Sequence, residues 1–293
     1  MPSRPRRIGF VGLGNMGLPM SRRLVEAGFV VTGFDLSKAA RRRAADAGIL
    51  ATDCLAQVAR GATWLALMLP GSDAVEAVLA DQSLLSELTP GTEVLEMSSS
   101  EPLRTRLLAA QLAARRVTLV DAPVSGGVTG AEGGTLTIMA GGEAADVEAA
   151  RPCLAPLGRV VHVGPVGAGH ALKALNNLLS ATHLLATGEA MLAGTRFGID
   201  PEVMLSVLNS SSGRCGSTEV KWPRFVLPGS FDSGFALRLM VKDMGIAARL
   251  AEQVGAPRAL GRSALELWTK AADLLPPTAD HTEIARWLES EAG

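Results

Sequence analysis

Three glycines at fixed spacing, G-L-G-N-M-G over residues 12–17, limit this chain more than any other feature. Ahead of them, residues 8–11 are apolar and strand-like; after them, residues 18–27 carry apolar positions at helical spacing and stop at Gly28. A strand that turns this sharply into a helix uses each glycine differently. Gly12 permits the tight turn, Gly14 lets a pyrophosphate approach the backbone, and Gly17 lets the helix pack close to the strand. Leu13, Asn15 and Met16 complete a loop whose N–H groups, with the positive end of the helix dipole, cradle an anion. The next strand, 29–34, ends at Asp35, about 20 residues on, where a carboxylate accepts from ribose hydroxyls. This pattern predicts a dinucleotide site. Asp35 favours NAD, because it repels a 2′-phosphate; Lys38, Arg41, Arg42 and Arg43 on the following helix keep NADP possible, although a solvated helix face is their simpler reading.

The same alternation continues. Apolar strand-like runs at 63–69, 93–97, 117–121, 135–140 and 159–163 are separated by helical patterns at 38–47, 73–80, 102–116 and 144–157, with a glycine-rich loop between 121 and 135. Strands spaced by helices of this length predict an α/β fold, a Rossmann-type doubly wound, mainly parallel sheet with helices on both faces. From G-P-V-G-A-G at 164–169 onward the chain reads as helical, broken near Gly198, 210–216, 228–234, Gly255 and Pro276-Pro277. The expected domains are a nucleotide-binding unit, 1–163, and an all-helical unit, 164–293, joined through a helix. No internal repeat is found.

Composition removes several function classes. There is no tyrosine, which excludes a tyrosine base. Net charge is −1, so no positive field argues for nucleic acid. Cys54, Cys153 and Cys215 stand far apart, and His162, His170, His183 and His281 form no H-E-x-x-H pair, so no metal is expected. No run reaches the ~18 apolar residues that span a bilayer. Arg4 to Arg7 ahead of an apolar run imitates a leader peptide, but the run is better read as a strand. The expectation is a cytoplasmic enzyme with no membrane partner.

Five motifs, taken together, resemble the 3-hydroxyisobutyrate dehydrogenase family, the β-hydroxyacid dehydrogenases. They are G-F-V-G-L-G-N-M-G-L-P-M at 9–20, M-L-P at 68–70, D-A-P-V-S-G-G at 121–127, G-A-G-H-A-L-K-A-L-N-N at 167–177 and L-M-V-K-D at 239–243. The resemblance covers nearly the whole chain. It implies a Rossmann domain, a helical domain, and an active site in the cleft between them. It places the catalytic lysine on Lys173 and substrate contacts on Ser125, Gly126, Gly127 and Asn177. Cofactor contacts fall on the glycine loop, Leu69, Pro70, Ser100 and Lys242. It implies a homodimer or homotetramer acting on a small β-hydroxyacid or its semialdehyde. Two departures stand out. Met97-Ser98-Ser99-Ser100 replaces Asp-Ser-Ser-Thr, so a carboxylate is lost at Met97. The 214–235 segment is shorter than in the 3-hydroxyisobutyrate enzymes, which points away from that substrate.

Lys173 and Asn177 are four residues apart and share a helix face. The helix N-terminus, burial and a second cation from Lys242 would all disfavour the Lys173 ammonium, suiting it to proton exchange near neutrality. Lys173 would take the hydroxyl proton while a hydride leaves the same carbon. Asn177 would bind the substrate and hold Lys173, while Ser125 and the N–H groups of Gly126 and Gly127 would hold its carboxylate. His170 reads as a polar neighbour rather than a catalyst, and Arg214 as either a loop arginine or a contact for a second carboxylate. Imine reduction on the same scaffold and a non-catalytic dinucleotide-binding module are the alternatives; Lys173 argues against both.

Overall fold

Side chains of the first strand alternate between two hydrophobic layers, as the period of two requires: Ile8 and Phe10 enter one core, and Val11 enters the other. A strand covered on both faces is the hallmark of a sheet with helices on each side. The computed structural model describes residues 7–291, so Arg4, Pro5 and Arg6 of the leader-like run lie outside the described residues. The chain divides into two compact units, Met1–Lys173 and Ala174–Gly293.

In the first unit the order is β1 (Arg7–Val11), α1 (Gly17–Glu26), β2 (Val30–Phe34), α2 (Lys38–Asp46), β3 (Leu50–Thr52), α3 (Leu55–Ala59), β4 (Trp64–Leu67), α4 (Ser72–Ala80), α5 (Gln82–Glu87), β5 (Glu93–Glu96), α6 (Pro102–Ala113), β6 (Thr118–Asp121), β7 (Val124–Ser125), α7 (Gly127–Gly133), β8 (Leu136–Gly141), α8 (Ala144–Leu154) and β9 (Gly158–Gly164). The sheet runs β3-β2-β1-β4-β5-β6-β8-β7, with β9 also paired to β8. All pairs from β3 to β6 are parallel, as is β8 with β9; β8 is antiparallel to β6 and β7. The parallel sheet and its interleaved helices agree with the sequence pattern.

The differences are local. The glycine-rich stretch expected as a loop contains β7 and α7, whose sequence G-V-T-G-A-E-G has low helix propensity and gave no periodic signal. The short β3, α3 and α5 were likewise invisible, since three to six residues are too few to show a period.

Helix α9 (Ala168–Phe197) starts in the first unit and continues into the second. There it is followed by α10 (Pro201–Asn209), a π-helix over Ser217–Val226, α11 (Leu237–Gln253), α12 (Ala259–Leu274) and α13 (Ile284–Glu291). The π-helix replaces an ordinary helix expected from the sequence. It contains Pro223, which has no N–H to give to a regular ladder. The core here centres on Trp268, fully buried among Leu184, Met240, Met244 and Ile284, with its indole N–H donating to the Ala181 carbonyl at 3.3 Å. Among the described residues no helix is long and apolar enough to cross a membrane.

The first of two buried acids on β5 is Glu93. Glu93 accepts from the Trp64 indole N–H at 2.9 Å, and burial raises its pKa from 4.5 to about 7 against the pull of that bond. A raised carboxyl pKa means that the native state holds the proton more tightly than the unfolded chain. Stability therefore falls as pH rises from 4.5 through about 7. Urea unfolding at pH 5 and pH 8 should show wild type losing stability relative to Glu93→Gln across that interval. A wild-type-to-variant difference independent of pH would contradict it.

Candidate active site

The strand order reverses between β1 and β4, so the loops leaving these strands flank a crevice at the carboxyl ends of the sheet. Gly12 has φ +97°, and a Cβ there would strike the Met68 carbonyl; one on Gly17 would strike the Gly12 carbonyl. Nothing lies within 4 Å of the place a Gly14 Cβ would occupy. No side chain caps α1, whereas Ser37, Asp81 and Asp200 cap α2, α5 and α10. The Leu18 N–H donates to the Gly14 carbonyl at 3.0 Å and Pro19 has no N–H, so what this turn offers an anion is the open space over Gly14 at the positive end of the helix dipole.

A cavity of about 600 Å³ opens here, lined by Gly12, Gly14, Asn15, Met16, Gly17, Asp35, Leu69 and Pro70. Leu13 serves differently: its side chain is buried in the core, and its N–H donates to Asp35 Oδ2 at 2.8 Å. Asp35 Oδ1 accepts the Ser37 N–H at 2.8 Å, so the carboxylate is fixed at the end of β2. Arg41 Nη1 donates to the Asp35 and Leu36 carbonyls at 2.6 and 3.1 Å. The Leu69 N–H donates to Ser98 Oγ at 2.9 Å, which sets the turn after β4. Ser100 Oγ is buried with no hydrogen-bond partner among the described residues. The open space over Gly14 and the cavity between the glycine loop, Asp35 and the turn at Leu69 and Pro70 fit a dinucleotide.

The ends of β5 and β6 carry Glu96 and Asp121, in register with each other and both buried. The start of α9 neutralises them. Asp121 Oδ1 accepts the Gly167 N–H at 2.7 Å and Oδ2 the His170 N–H at 2.9 Å, so a distant carboxylate caps the helix. A Cβ on Gly169 would strike the Met139 carbonyl, and one on Gly141 would press on Asp121; glycine lets strand, carboxylate and helix meet. His170 Nε2 lies 2.7 Å from Glu96 Oε2, and its Nδ1 2.9 Å from Thr105 Oγ1. The Thr105 hydroxyl donates to the Glu101 carbonyl, so it accepts from Nδ1, and both ring nitrogens carry protons. Burial opposes the imidazolium, but the Glu96 charge outweighs it and the His170 pKa is raised. Burial likewise opposes the Glu96 carboxylate, yet His170 and the Ser98 hydrogen bonds hold its pKa down. At Asp121 burial prevails and the pKa is raised, against His170 and the two N–H donors. The carboxylate expected to be missing at Met97 is therefore supplied one position earlier by Glu96, and Met97 itself is core.

One turn beyond His170 on α9 stands Lys173, only 8% exposed. Ser125 ends β7 half-buried; Gly126 and Gly127 follow it exposed, at φ +135° and +62°. In the second unit, Asn177 Nδ2 donates to Asp243 Oδ2 at 2.6 Å, and Lys242 Nζ lies 3.3 Å from Asp243 Oδ1. Asn177, Asp243 and Lys242 thus form a chain between α9 and α11. Arg214 is engaged at the surface by Glu219, at 2.7 Å. The sequence reading passed over Glu96, Thr105, Asp243 and Lys221, whose partners lie far along the chain. The charged residue inside an apolar helical pattern, as at Asp243, was the one available signal. No His, Cys, Asp and Glu cluster able to hold a metal occurs among the described residues.

Known proteins resemble the chain over most of its length. The NAD binding domain of 6-phosphogluconate dehydrogenase matches residues 7–164, and the NAD-binding domain of NADP-dependent 3-hydroxyisobutyrate dehydrogenase matches residues 167–288. An NAD-dependent L-serine dehydrogenase of Pseudomonas aeruginosa is 39% identical over 271 residues, covering 90% of this chain and 91% of that protein. The 2-(hydroxymethyl)glutarate dehydrogenase of Eubacterium barkeri is 37% identical, covering 89% and 88%. The structure of Mycobacterium tuberculosis 3-hydroxyisobutyrate dehydrogenase with L-serine superposes with a TM-score of 0.92 at 32% identity, covering 97% of this chain and 99% of that one.

The Glu96–His170 pair yields a signed prediction. A raised histidine pKa contributes stability in full below 6.5, and that contribution is lost as pH rises through the folded-state value. Glu96→Gln leaves a buried imidazolium without its counter-charge, so it should cost about 3 kcal/mol at pH 6. The penalty should shrink at alkaline pH, where wild type loses the pair as well. Urea titrations at pH 6 and pH 9 measure both; an equal penalty at the two would refute the ion pair.

Proposed function

The chain belongs to the 3-hydroxyisobutyrate dehydrogenase family, NAD(P)-dependent oxidoreductases acting on CH–OH, and from that premise we propose that it interconverts a small 3-hydroxy acid and its semialdehyde with Lys173 as general acid and base. The observation that carries this reading is a lysine 8% exposed on α9, one turn beyond the ring that anchors the helix start. A lysine taken this far out of water is costly unless its charge or its proton is used. The domains we assign are 1–163 for the nucleotide and 164–293 for substrate and assembly.

Gly12 to Gly17, Asp35, Leu69, Pro70 and Ser100 would hold the NAD, with Lys242 as a further contact. When bound, its nicotinamide exchanges a hydride with the hydroxyl-bearing carbon. The protein's own part is positional and protic. Ser125 and the N–H groups of Gly126 and Gly127 hold the substrate carboxylate, where absent side chains let an anion approach. Lys173 Nζ accepts the hydroxyl proton in oxidation and returns it in reduction. Asn177, braced by Asp243, presents its amide to the substrate. Asp35 makes NAD the preferred cofactor, by repulsion of a 2′-phosphate. The substrates that suit the site are 3-hydroxyisobutyrate-like acids, glycerate with tartronate semialdehyde, and hydroxymethylglutarate-like acids. A cytoplasmic homodimer or homotetramer is the proposed form.

Absorbance of the reduced nicotinamide tests this directly. Purified protein with NAD, and separately with NADP, is run against a panel of such acids. Lys173→Ala should lower kcat by about 10²- to 10⁴-fold with NAD binding retained. Turnover close to wild type would remove Lys173 from the mechanism.

A further inference from the structure

Lys221 has no part in the chemistry above. It lies in the π-helix of the second unit, and its Nζ donates to Ser180 Oγ at 2.6 Å. Ser180 stands three residues after Asn177 on α9, so the two share a helix face about 4.5 Å apart along the axis. Among the described residues the Ser180 hydroxyl is the one hydrogen-bond acceptor for Lys221, and no carboxylate lies within ion-pair distance. An ammonium carries three donors, so two remain.

The charged groups around it do not complete the set. Asp280 is the carboxylate whose charge acts on Lys221, but its oxygens are engaged by the Ser233 hydroxyl and the N–H groups of Gly234, Phe235 and Thr282. His281 also faces this group, and the Lys221 charge helps push its pKa down. The Cys215 thiol lies 3.7 Å from the Thr187 hydroxyl, and the Cys215 N–H donates to Thr218 Oγ1 at 3.0 Å. Burial lowers the Lys221 pKa to about 8, partly offset by Cys215 and Asp280, so at neutral pH the amine is still mostly charged. A half-buried cation with one neutral hydrogen-bond acceptor and no carboxylate at ion-pair distance among the described residues is incompletely compensated, and an anion would complete it.

We propose that Lys221 binds a second anionic group of the substrate, which makes the preferred substrate class hydroxy acids with two carboxylates. This rests on the reading of Asn177 as a substrate contact: an acid held there extends along α9 toward Ser180 and meets the Lys221 amine. The same cation disfavours a substrate with an ammonium in that place. Among the chemistries of the relatives, the site then favours the carboxylate-bearing arm of 2-(hydroxymethyl)glutarate over the methyl of 3-hydroxyisobutyrate, and over the ammonium of L-serine.

The test compares wild type, Lys221→Met and Lys221→Arg, each saturated with NAD. Turnover is measured on 2-(hydroxymethyl)glutarate, 3-hydroxyisobutyrate and L-serine, and binding of glutarate and of butyrate by calorimetry. A lost charge-assisted hydrogen bond is worth about 10- to 100-fold. Lys221→Met should raise the KM for 2-(hydroxymethyl)glutarate and the Kd for glutarate by about that factor. Its kcat/KM for 3-hydroxyisobutyrate should stay within about 3-fold, and Lys221→Arg should keep the two-carboxylate preference. Equal wild-type affinity for glutarate and butyrate, or a parallel loss on every acid in Lys221→Met, overturns the proposal. Should no hydroxy acid be turned over while glutarate binding still depends on Lys221, the proposed reaction fails and the anion site stands.

Discussion

Two buried carboxylates at the ends of adjacent parallel strands are an electrostatic problem that the rest of the structure solves. Glu96 and Asp121 sit in register on β5 and β6, out of water, where like charges repel strongly and neither can be hydrated. The first turn of α9 supplies what they need. Its free N–H groups go to Asp121, and the His170 ring goes to Glu96 at 2.7 Å, with Asp121 3.8 Å from its other nitrogen. The arrangement works in both directions. The acids fix where the helix begins and how it is rotated, because the donors at 167 and 170 must both meet one carboxylate. Lys173, one turn later, inherits that rotation. Glycines at 141 and 169 are the steric condition for the contact.

The contrast between α1 and α9 follows from the same principle. Both begin near carboxyl ends of sheet strands, with the positive end of the helix dipole there. On α9 a protein carboxylate takes the Gly167 and His170 N–H groups; on α1 no side chain caps the helix, whose Leu18 N–H goes to the Gly14 carbonyl. One helix start is structural, and the other is left open beside Gly14 and a cavity of about 600 Å³. The Asp35 carboxylate stiffens that open loop from the far side through the Leu13 N–H.

What the sequence made legible was whatever has a local signature. The glycine loop, the helix after it and Asp35 fall within one strand–helix–strand unit, and the helical tail announces itself through its period. Lys173 and Asn177 stand out because polar residues interrupt an apolar helix. His170, in the same segment, reads as a neighbour because nothing nearby explains it. Its partners are separated from it by 49 and 65 residues at Asp121 and Thr105. Contacts of that span leave no period and no spacing to detect. Glu96 is equally illegible in the sequence, since it ends an apolar strand and its partner His170 lies far along the chain. Lys221 was hidden by a proline-containing segment whose π geometry no helical template describes.

The polar residues of the second unit then differ in kind. Asn177, Asp243 and Lys242 are linked, amide to carboxylate by a hydrogen bond at 2.6 Å and carboxylate to ammonium by an ion pair at 3.3 Å. Such a chain holds its members still, and Asn177 gains a fixed orientation from it at little cost in unpaired charge. Among the described residues Lys221 has no carboxylate within ion-pair distance; its ammonium hydrogen-bonds the Ser180 hydroxyl and feels Asp280 and Cys215 only at longer range. A half-buried ammonium in that condition is one that an anion from outside the protein could complete, whereas the Asn177–Asp243–Lys242 chain finds its charge partners within the protein, so α9 carries two polar positions of different kind within one turn, Asn177 and Ser180.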